Sequence, residues 1–323
     1  MRYLNVVERD GRYAARLAET ADPVPGPGEV LVRVAASGVN RADLSQIAGR
    51  YPPPPGESAI LGLEVSGWRT DTGEAVCALL AGGGHAELAA VPVGQIFPAP
   101  SGLDLITAAG IPEAYLTAFV NLVVEARLEP GETVLVHAGA SGVGLAAIRL
   151  AKFLGARVIA TTRTAAKVPA LLAAGADVVV DTGHAALVAE IERREGANGV
   201  HVVLDPIGAA SLGDDLRLLA LGGRVVCIAT MAGAHADLDI RLLMSKRARI
   251  VGSTLRARSR AEKAVLVERF RSAVLPAFGQ GRLQVAVDAV VPPARAADAF
   301  QRMRDNRNVG KLLIDWTGRG GLS

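Results

Sequence analysis

The fold is decided by the stretch Thr133-Val-Leu-Val-His-Ala-Gly-Ala-Ser-Gly-Val-Gly144 and the segment Leu145-Ala-Ala-Ile-Arg-Leu-Ala-Lys-Phe-Leu154 that follows it. Val134, Leu135 and Val136 form an apolar run too short for a helix and β-branched enough for a buried parallel strand. Gly139, Gly142 and Gly144 crowd the turn, and the segment from Leu145 to Leu154 reads as a helix. A strand, a glycine turn and a helix make a cradle for a dinucleotide pyrophosphate. Glycines admit the phosphates close to the backbone, and the helix N-terminus offers free N–H groups and partial positive charge. The spacing Gly-x-x-Gly-x-Gly differs from the usual Gly-x-Gly-x-x-Gly, so the neighbouring segments must carry part of the argument.

They do. Arg157-Val-Ile-Ala-Thr-Thr162 is a second apolar run at the distance expected for the next parallel strand, and more follow at 177–181, 201–205, 222–229 and 249–254. Six strands alternating with helices predict an α/β doubly wound parallel sheet of Rossmann type.

The first 115 residues have another texture. Glu29-Val-Leu-Val-Arg-Val-Ala-Ala36 reads as a strand after the Pro23–Gly28 turn cluster, and 40–46 as a short helix. Gly49-Arg-Tyr-Pro-Pro-Pro-Pro-Gly56 reads as a stiff polyproline-like loop, because four consecutive prolines fix φ and remove donors. Short strands at 61–68, 74–80 and 86–91 complete a β-rich, barrel-like domain. A helical passage from Pro112 leads to the cradle. Beyond the sixth strand, the capping box Ser259-Arg-Ala-Glu262 opens a helix expected to run to about Gly279. A strand at 285–291, a helix at 294–305 and a last strand at 311–315 return to the first domain. The expected division is 1–115 with 258–323, and 116–257.

Composition narrows the function classes. At 323 residues the chain can bury two cores, and half of it is apolar, which excludes a disordered chain. Net charge is only +3 with the basic residues dispersed, so nucleic acid is not expected as the main partner. Two cysteines far apart build neither a disulfide framework nor a zinc lobe. No apolar run spans a bilayer and the N-terminal residues lack a signal-peptide core, so a cytoplasmic enzyme or binding protein is expected.

Five stretches together resemble the zinc-free quinone oxidoreductases of zeta-crystallin type, in the medium-chain dehydrogenase/reductase superfamily. They are Ala35-Ala-Ser-Gly-Val-Asn-Arg-Ala-Asp-Leu44, Leu61-Gly-Leu-Glu-Val-Ser-Gly67, Ile111-Pro-Glu-Ala-Tyr-Leu-Thr-Ala-Phe119, the cradle, and Asn308-Val-Gly-Lys311. The proline loop Gly49–Gly56 is similar to that of the tumour-suppressor-induced branch. The resemblance implies a GroES-like β-rich catalytic domain split around a Rossmann domain, with cofactor and substrate in the cleft, and homodimers made through Rossmann edge strands. One departure is the short Trp68-Arg-Thr-Asp-Thr72 between Gly67 and Gly73, which predicts a truncated hairpin.

Zinc dehydrogenases of the same superfamily carry Cys where this chain has Asn40, and His-Glu where it has Leu63-Glu64. Zinc needs three protein ligands of Cys, His or carboxylate type, so the site is expected to be metal-free. The five histidines stand singly in the sequence, without ligand-spaced partners, and read as ordinary core or surface residues.

The second cradle strand ends Thr161-Thr-Arg-Thr164 with Lys167 beyond it, and no carboxylate is available for a ribose 2′-OH. Arg163 and Lys167 therefore predict NADPH rather than NADH. Gly139, Ser141, Gly142, Val143, Gly144 and Thr162 are expected to line the rest of the cofactor, while Thr182 stands where relatives often have Tyr. The resemblance places Asn40 and Thr117 near the nicotinamide, with Leu255 and Asn308 closing around it. Asn40 also reads as a simple helix cap. Tyr51 is either a proton donor or a loop aromatic packed on prolines. Arg256 and Arg258 either attract a reduced quinone or form a solvated face. Three functions stay open: reduction of quinones or other conjugated carbonyls, reduction of a 2-enoyl thioester or alkenal with Tyr51 as acid, and a non-enzymatic NADPH sensor.

Overall fold

The structure, a computed structural model, describes residues 1–184 and 186–318. The chain divides into two compact units, Met1–Leu116 with Leu255–Ser323, and Thr117–Thr254.

The first unit opens with an antiparallel hairpin, β1 (Arg2–Arg9) and β2 (Arg12–Glu19). It continues with β3 (Glu29–Val39), β4 (Glu64–Arg69), β5 (Ala75–Leu79), β6 (Leu88–Pro92) and β7 (Ile96–Pro98). The second unit supplies β8 (Thr133–Val136), β9 (Arg157–Thr162), β10 (Val178–Asp181), β11 (Val200–Asp205), β12 (Leu219–Cys227) and β13 (Arg249–Gly252). The first unit then resumes with β14 (Val287–Val291) and β15 (Lys311–Asp315).

Strand β3 is the spine of the first unit. It pairs with β15, β4 and β6 in a seven-stranded sheet ordered β14-β15-β3-β4-β5-β7 with β6 alongside. A register shift between Val34 and Ala36 bends it, and Gly67 lies so close opposite that a Cβ there would be 2.0 Å from the Arg33 carbonyl oxygen. One core cluster gathers Val32, Val34, Val65, Val76 and Val91, and another Leu4, Val39, Phe300, Leu312 and Ile314. This curled sheet is the GroES-like domain. The expected short hairpin is present: Arg69 N–H donates to Glu74 O at 3.0 Å and Gly73 N–H to Arg69 O at 2.9 Å, which closes β4 onto β5.

The second unit is a six-stranded parallel sheet ordered β10-β9-β8-β11-β12-β13. All four residues of β8 are buried, as expected of a strand covered on both faces. The strand order reverses between β8 and β11, the point in such sheets where ligands bind beyond the carboxyl ends.

Two helices differ from expectation. The helix after β8 spans Gly142–Phe153, starting earlier because Ser141 caps it. The helix after Ser259 stops at Ala273, and a separate short helix runs Pro276–Gly279, because Pro276 has no N–H to continue the ladder. Among the described residues no helix is long and apolar enough to cross a membrane.

Candidate active site

In the second unit, the cradle is held by its own backbone. Gly139 N–H donates to Thr161 O at 2.8 Å, and Gly144 N–H to the Ser141 hydroxyl at 2.9 Å. A Cβ on Gly144 would stand 2.5 Å from Ala138 O, so that glycine is required by the turn itself. Ala138 adopts φ +49°, a left-handed conformation uncommon outside glycine, which marks the turn as over-determined by its surroundings. The N–H groups of Gly142 and Val143, both half-buried, have no acceptor among the described residues. These unpaired donors at a helix N-terminus fit the diphosphate of a dinucleotide.

At the end of β9, Thr162 is buried and its carbonyl accepts from both Thr182 N–H (2.8 Å) and Thr182 Oγ1 (3.2 Å). Arg163 is exposed there, whereas Lys167 is only 8% exposed. Thr117 is half-buried and its carbonyl accepts from Asn121 Nδ2 at 2.7 Å.

In the first unit, a buried knot replaces the solitary Glu64 that the sequence suggests. Glu64 is fully buried, and its Oε1 accepts from Lys311 Nζ and from Asn40 Nδ2 (2.9 Å). Lys311, 4% exposed, also donates to Asn40 Oδ1 at 2.7 Å and to Val39 O at 3.3 Å. Asn40 Nδ2 donates to Gly38 O at 3.2 Å as well, so both amide hydrogens of Asn40 are spent inside the protein. Only acceptor capacity on its Oδ1 is left for a ligand. Asn40 precedes the helix Arg41–Ile47, and its backbone N–H donates to Asp43 Oδ2 at 2.7 Å. Gly38 is required here, since a Cβ would lie 2.2 Å from Glu64 Oε1.

Tyr51 is positioned by Arg256. That guanidinium lies 5.1 Å from the Tyr51 ring centroid and donates to Tyr51 O (3.0 Å), Ala81 O (2.8 Å) and Gln46 Oε1 (2.6 Å). Arg256 is 3% exposed, so it is neither a solvated face nor a free trap for an anion. It is the anchor of the proline loop, its charge spent on three acceptors and a ring. Burial, then the charge of Glu113, push the Tyr51 phenol above its ordinary value. Glu113 itself escaped notice in the sequence. Its N–H donates to Glu64 Oε2 at 2.8 Å, and burial followed by the Glu64 charge push its carboxyl up to about 8. Of the remaining expected residues in this unit, Leu255 is buried, and Asn308 is buried with its Nδ2 donating to Gly310 O at 2.9 Å.

Ser37, His85 and Asp43 also meet here. Ser37 Oγ is 2.8 Å from His85 Nδ1, and His85 Nε2 is 3.6 Å from Asp43 Oδ2. The three are at most 1% exposed, so no substrate carbonyl reaches the serine and the group is a core network.

A six-stranded doubly wound sheet with a glycine turn suited to an anion, in one chain with a GroES-like sheet, defines a nicotinamide-dependent oxidoreductase fold. The family comparisons agree. The alcohol dehydrogenase GroES-like domain matches residues 26–101, and the zinc-binding dehydrogenase family matches 142–272. The chain is 29% identical over 326 residues to the quinone oxidoreductase of Lama guanicoe, covering 97% of each. It is 32% identical to the quinone oxidoreductase of Thermus thermophilus, a structure also solved with NADPH, with TM-score 0.82 over 98% of this chain and 100% of that one. The CurK enoyl reductase is 25% identical, with TM-score 0.81 over 97% and 98%. The chain belongs to the medium-chain dehydrogenase/reductase superfamily.

The zinc implied by one family's description does not fit these residues. Asn40 and Leu63 offer neither thiolate nor imidazole, and an ammonium already neutralises Glu64. Among the described residues no group of three His, Cys, Asp or Glu is placed to hold an ion.

Proposed function

We propose that this protein is an NADPH-dependent reductase of quinones that works without a metal. The observation that carries this reading is the Lys311–Glu64–Asn40 knot. A zinc ion would polarise an unactivated ketone as a Lewis acid, and here a lysine with all three donors spent stands among the ligand positions instead. That favours an acceptor that takes hydride readily without a metal, as a quinone or another conjugated carbonyl does. Arg163 without a neighbouring carboxylate favours the 2′-phosphorylated cofactor, whose role is to supply the hydride. The free thiols Cys77 and Cys227 suit a reducing, cytoplasmic setting.

A second reading, reduction of an enoyl thioester, is favoured by the similarity to CurK enoyl reductase and by the phenol of Tyr51. Steady-state assays with NADPH, after chelator treatment, against ortho-quinones, para-quinones and a crotonyl thioester separate the two. Quinone turnover unaffected by chelator is expected. Tyr51→Phe keeps the ring and its stacking on Arg256 while removing the O–H, so it should cost little with a quinone. A loss above about a hundredfold, the range of general acid catalysis, with quinone binding unchanged moves the protein to the enoyl reading.

A further inference from the structure

We propose that His137 is a positioning residue for the cofactor. Its imidazole clamps the glycine turn in the shape that presents the Gly142 and Val143 N–H groups to a dinucleotide diphosphate. This rests on the reading of that turn as a dinucleotide cradle.

One residue of the turn does not suit it. Ala138 holds φ at +49°, where a Cβ crowds the following carbonyl oxygen. Such a conformation persists only where the surroundings over-determine it. Two backbone bonds bracket Ala138. On one side His137 N–H donates to Leu204 O of β11 at 3.1 Å, and on the other Gly139 N–H donates to Thr161 O of β9 at 2.8 Å. The His137 ring ties these brackets together. Its Nδ1 lies 3.0 Å from Thr161 Oγ1, on the residue whose carbonyl receives Gly139. Its Nε2 lies 2.7 Å from Asp215 Oδ1, on the helix Ala209–Leu218 that follows β11. A Cβ on Gly139 would stand 3.2 Å from Ala160 Cβ, so the turn also rests directly on β9.

The Asp215 carboxylate is dedicated to this ring. It is fully buried, its Oδ2 has no partner among the described residues, and its side-chain hydrogen bond among them goes to His137. His137 is itself 4% exposed, so the ring is not a ligand of the cofactor and acts through the turn. Both contacts survive a change of protonation. The imidazolium donates to both partners, while a neutral ring with its proton on Nε2 donates to Asp215 and accepts from the Thr161 hydroxyl. The clamp is therefore geometric. Released from it, Ala138 relaxes towards negative φ, and only the fraction of molecules that keep the turn can bind.

The test removes the clamp and then the strain. His137→Leu with Asp215→Val leaves no buried charge behind, an exchange that is often neutral for stability. The Kd for NADPH and that for NADH should both rise roughly tenfold in fluorescence titrations, since the diphosphate is common to the two. Adding Ala138→Gly should bring both back to within about threefold of wild type, because glycine takes a positive φ without strain. A double variant that binds as tightly as wild type overturns the proposal. So does a triple variant no tighter than the double, since His137 would then support the fold and not the turn. Should the double variant not fold, Thr161→Val cuts the Nδ1 contact alone, and Kd values equal to wild type overturn the proposal likewise. A second readout needs no cofactor. Hydrogen exchange at the Gly139 N–H should quicken in the clamp-free protein, and an unchanged rate overturns the proposal. If the wild type binds neither nucleotide, the cofactor reading fails while the exchange rate still judges the clamp.

Discussion

At the scale of the residue, the proposed preference for NADPH over NADH rests on Arg163, since the two cofactors differ by one phosphate. It stands exposed directly after β9, where NAD-binding relatives of this fold place an acid. Lys167, its expected companion, is buried, so most of the proposed selectivity is assigned to Arg163. One charge-assisted hydrogen bond contributes ~1.5–3 kcal/mol, or roughly 10- to 100-fold in affinity. Arg163→Ala should raise the Kd for NADPH by that factor in fluorescence titrations and leave the Kd for NADH nearly unchanged. Equal losses for both cofactors would place the phosphate elsewhere. The same scale shows where reading ligand positions one by one stops. Glu64 looked like an orphaned zinc ligand because its partner lies 247 positions away. Its meaning was nevertheless available. An acid in the apolar run Leu61–Val65 and a lysine opening Lys311-Leu-Leu-Ile are each costly to bury alone, and opposite charges in two buried strands ask to be paired. Glu113 gave no such signal, since its shift comes from burial and then from the charge of Glu64, both products of the tertiary fold.

At the scale of the element, the parallel strands were legible because burial on both faces leaves continuous apolar runs. Strand β9 was read with its observed bounds, Arg157–Thr162. The β1–β2 hairpin was missed because Arg12-Tyr-Ala-Ala-Arg-Leu-Ala-Glu19 is rich in Ala and Arg, poor strand formers. Its signal was the turn: Asp10 and Gly11 take φ of +47° and +75°, the pattern of a two-residue hairpin loop. His137 was read as an ordinary core residue, and it is buried, but it also joins two elements. From the end of β8 its Nε2 lies 2.7 Å from Asp215 Oδ1 on the helix Ala209–Leu218, and its Nδ1 is 3.0 Å from Thr161 Oγ1. Desolvation opposes the imidazolium, yet the charge and hydrogen bond of Asp215 win, and the His137 pKa is raised. Burial raises that of Asp215 as well. A raised folded-state pKa stabilises below the unfolded value, about 6.5 for histidine, and that contribution fades as pH climbs through the folded value. Urea midpoints should therefore fall between pH 6 and pH 9, and His137→Asn should flatten this slope. A wild-type midpoint constant over that interval would show that the pair does not titrate with folding.

At the scale of the whole molecule, the Rossmann sheet ends at β13, which among the described residues pairs with no further strand. Strand β13 pairs with β12 on one side only, and Ile250 within it is 36% exposed. Around that end of the sheet, Leu221, Ile240 and Met244 are 64%, 55% and 71% exposed. A free edge with apolar side chains is what soluble proteins avoid unless another strand covers it. A second copy related by a twofold axis would present the same strand antiparallel, bury both sets of side chains, and extend the sheet across the interface. The wild-type protein should therefore sediment as a dimer at micromolar concentration. Ile250→Lys combined with Met244→Glu places charges on both the edge strand and the helix Ile240–Ser245, and should give a monomer that still binds NADPH. A monomeric wild type, or a double variant that remains dimeric, would mean that this edge is not where two copies meet.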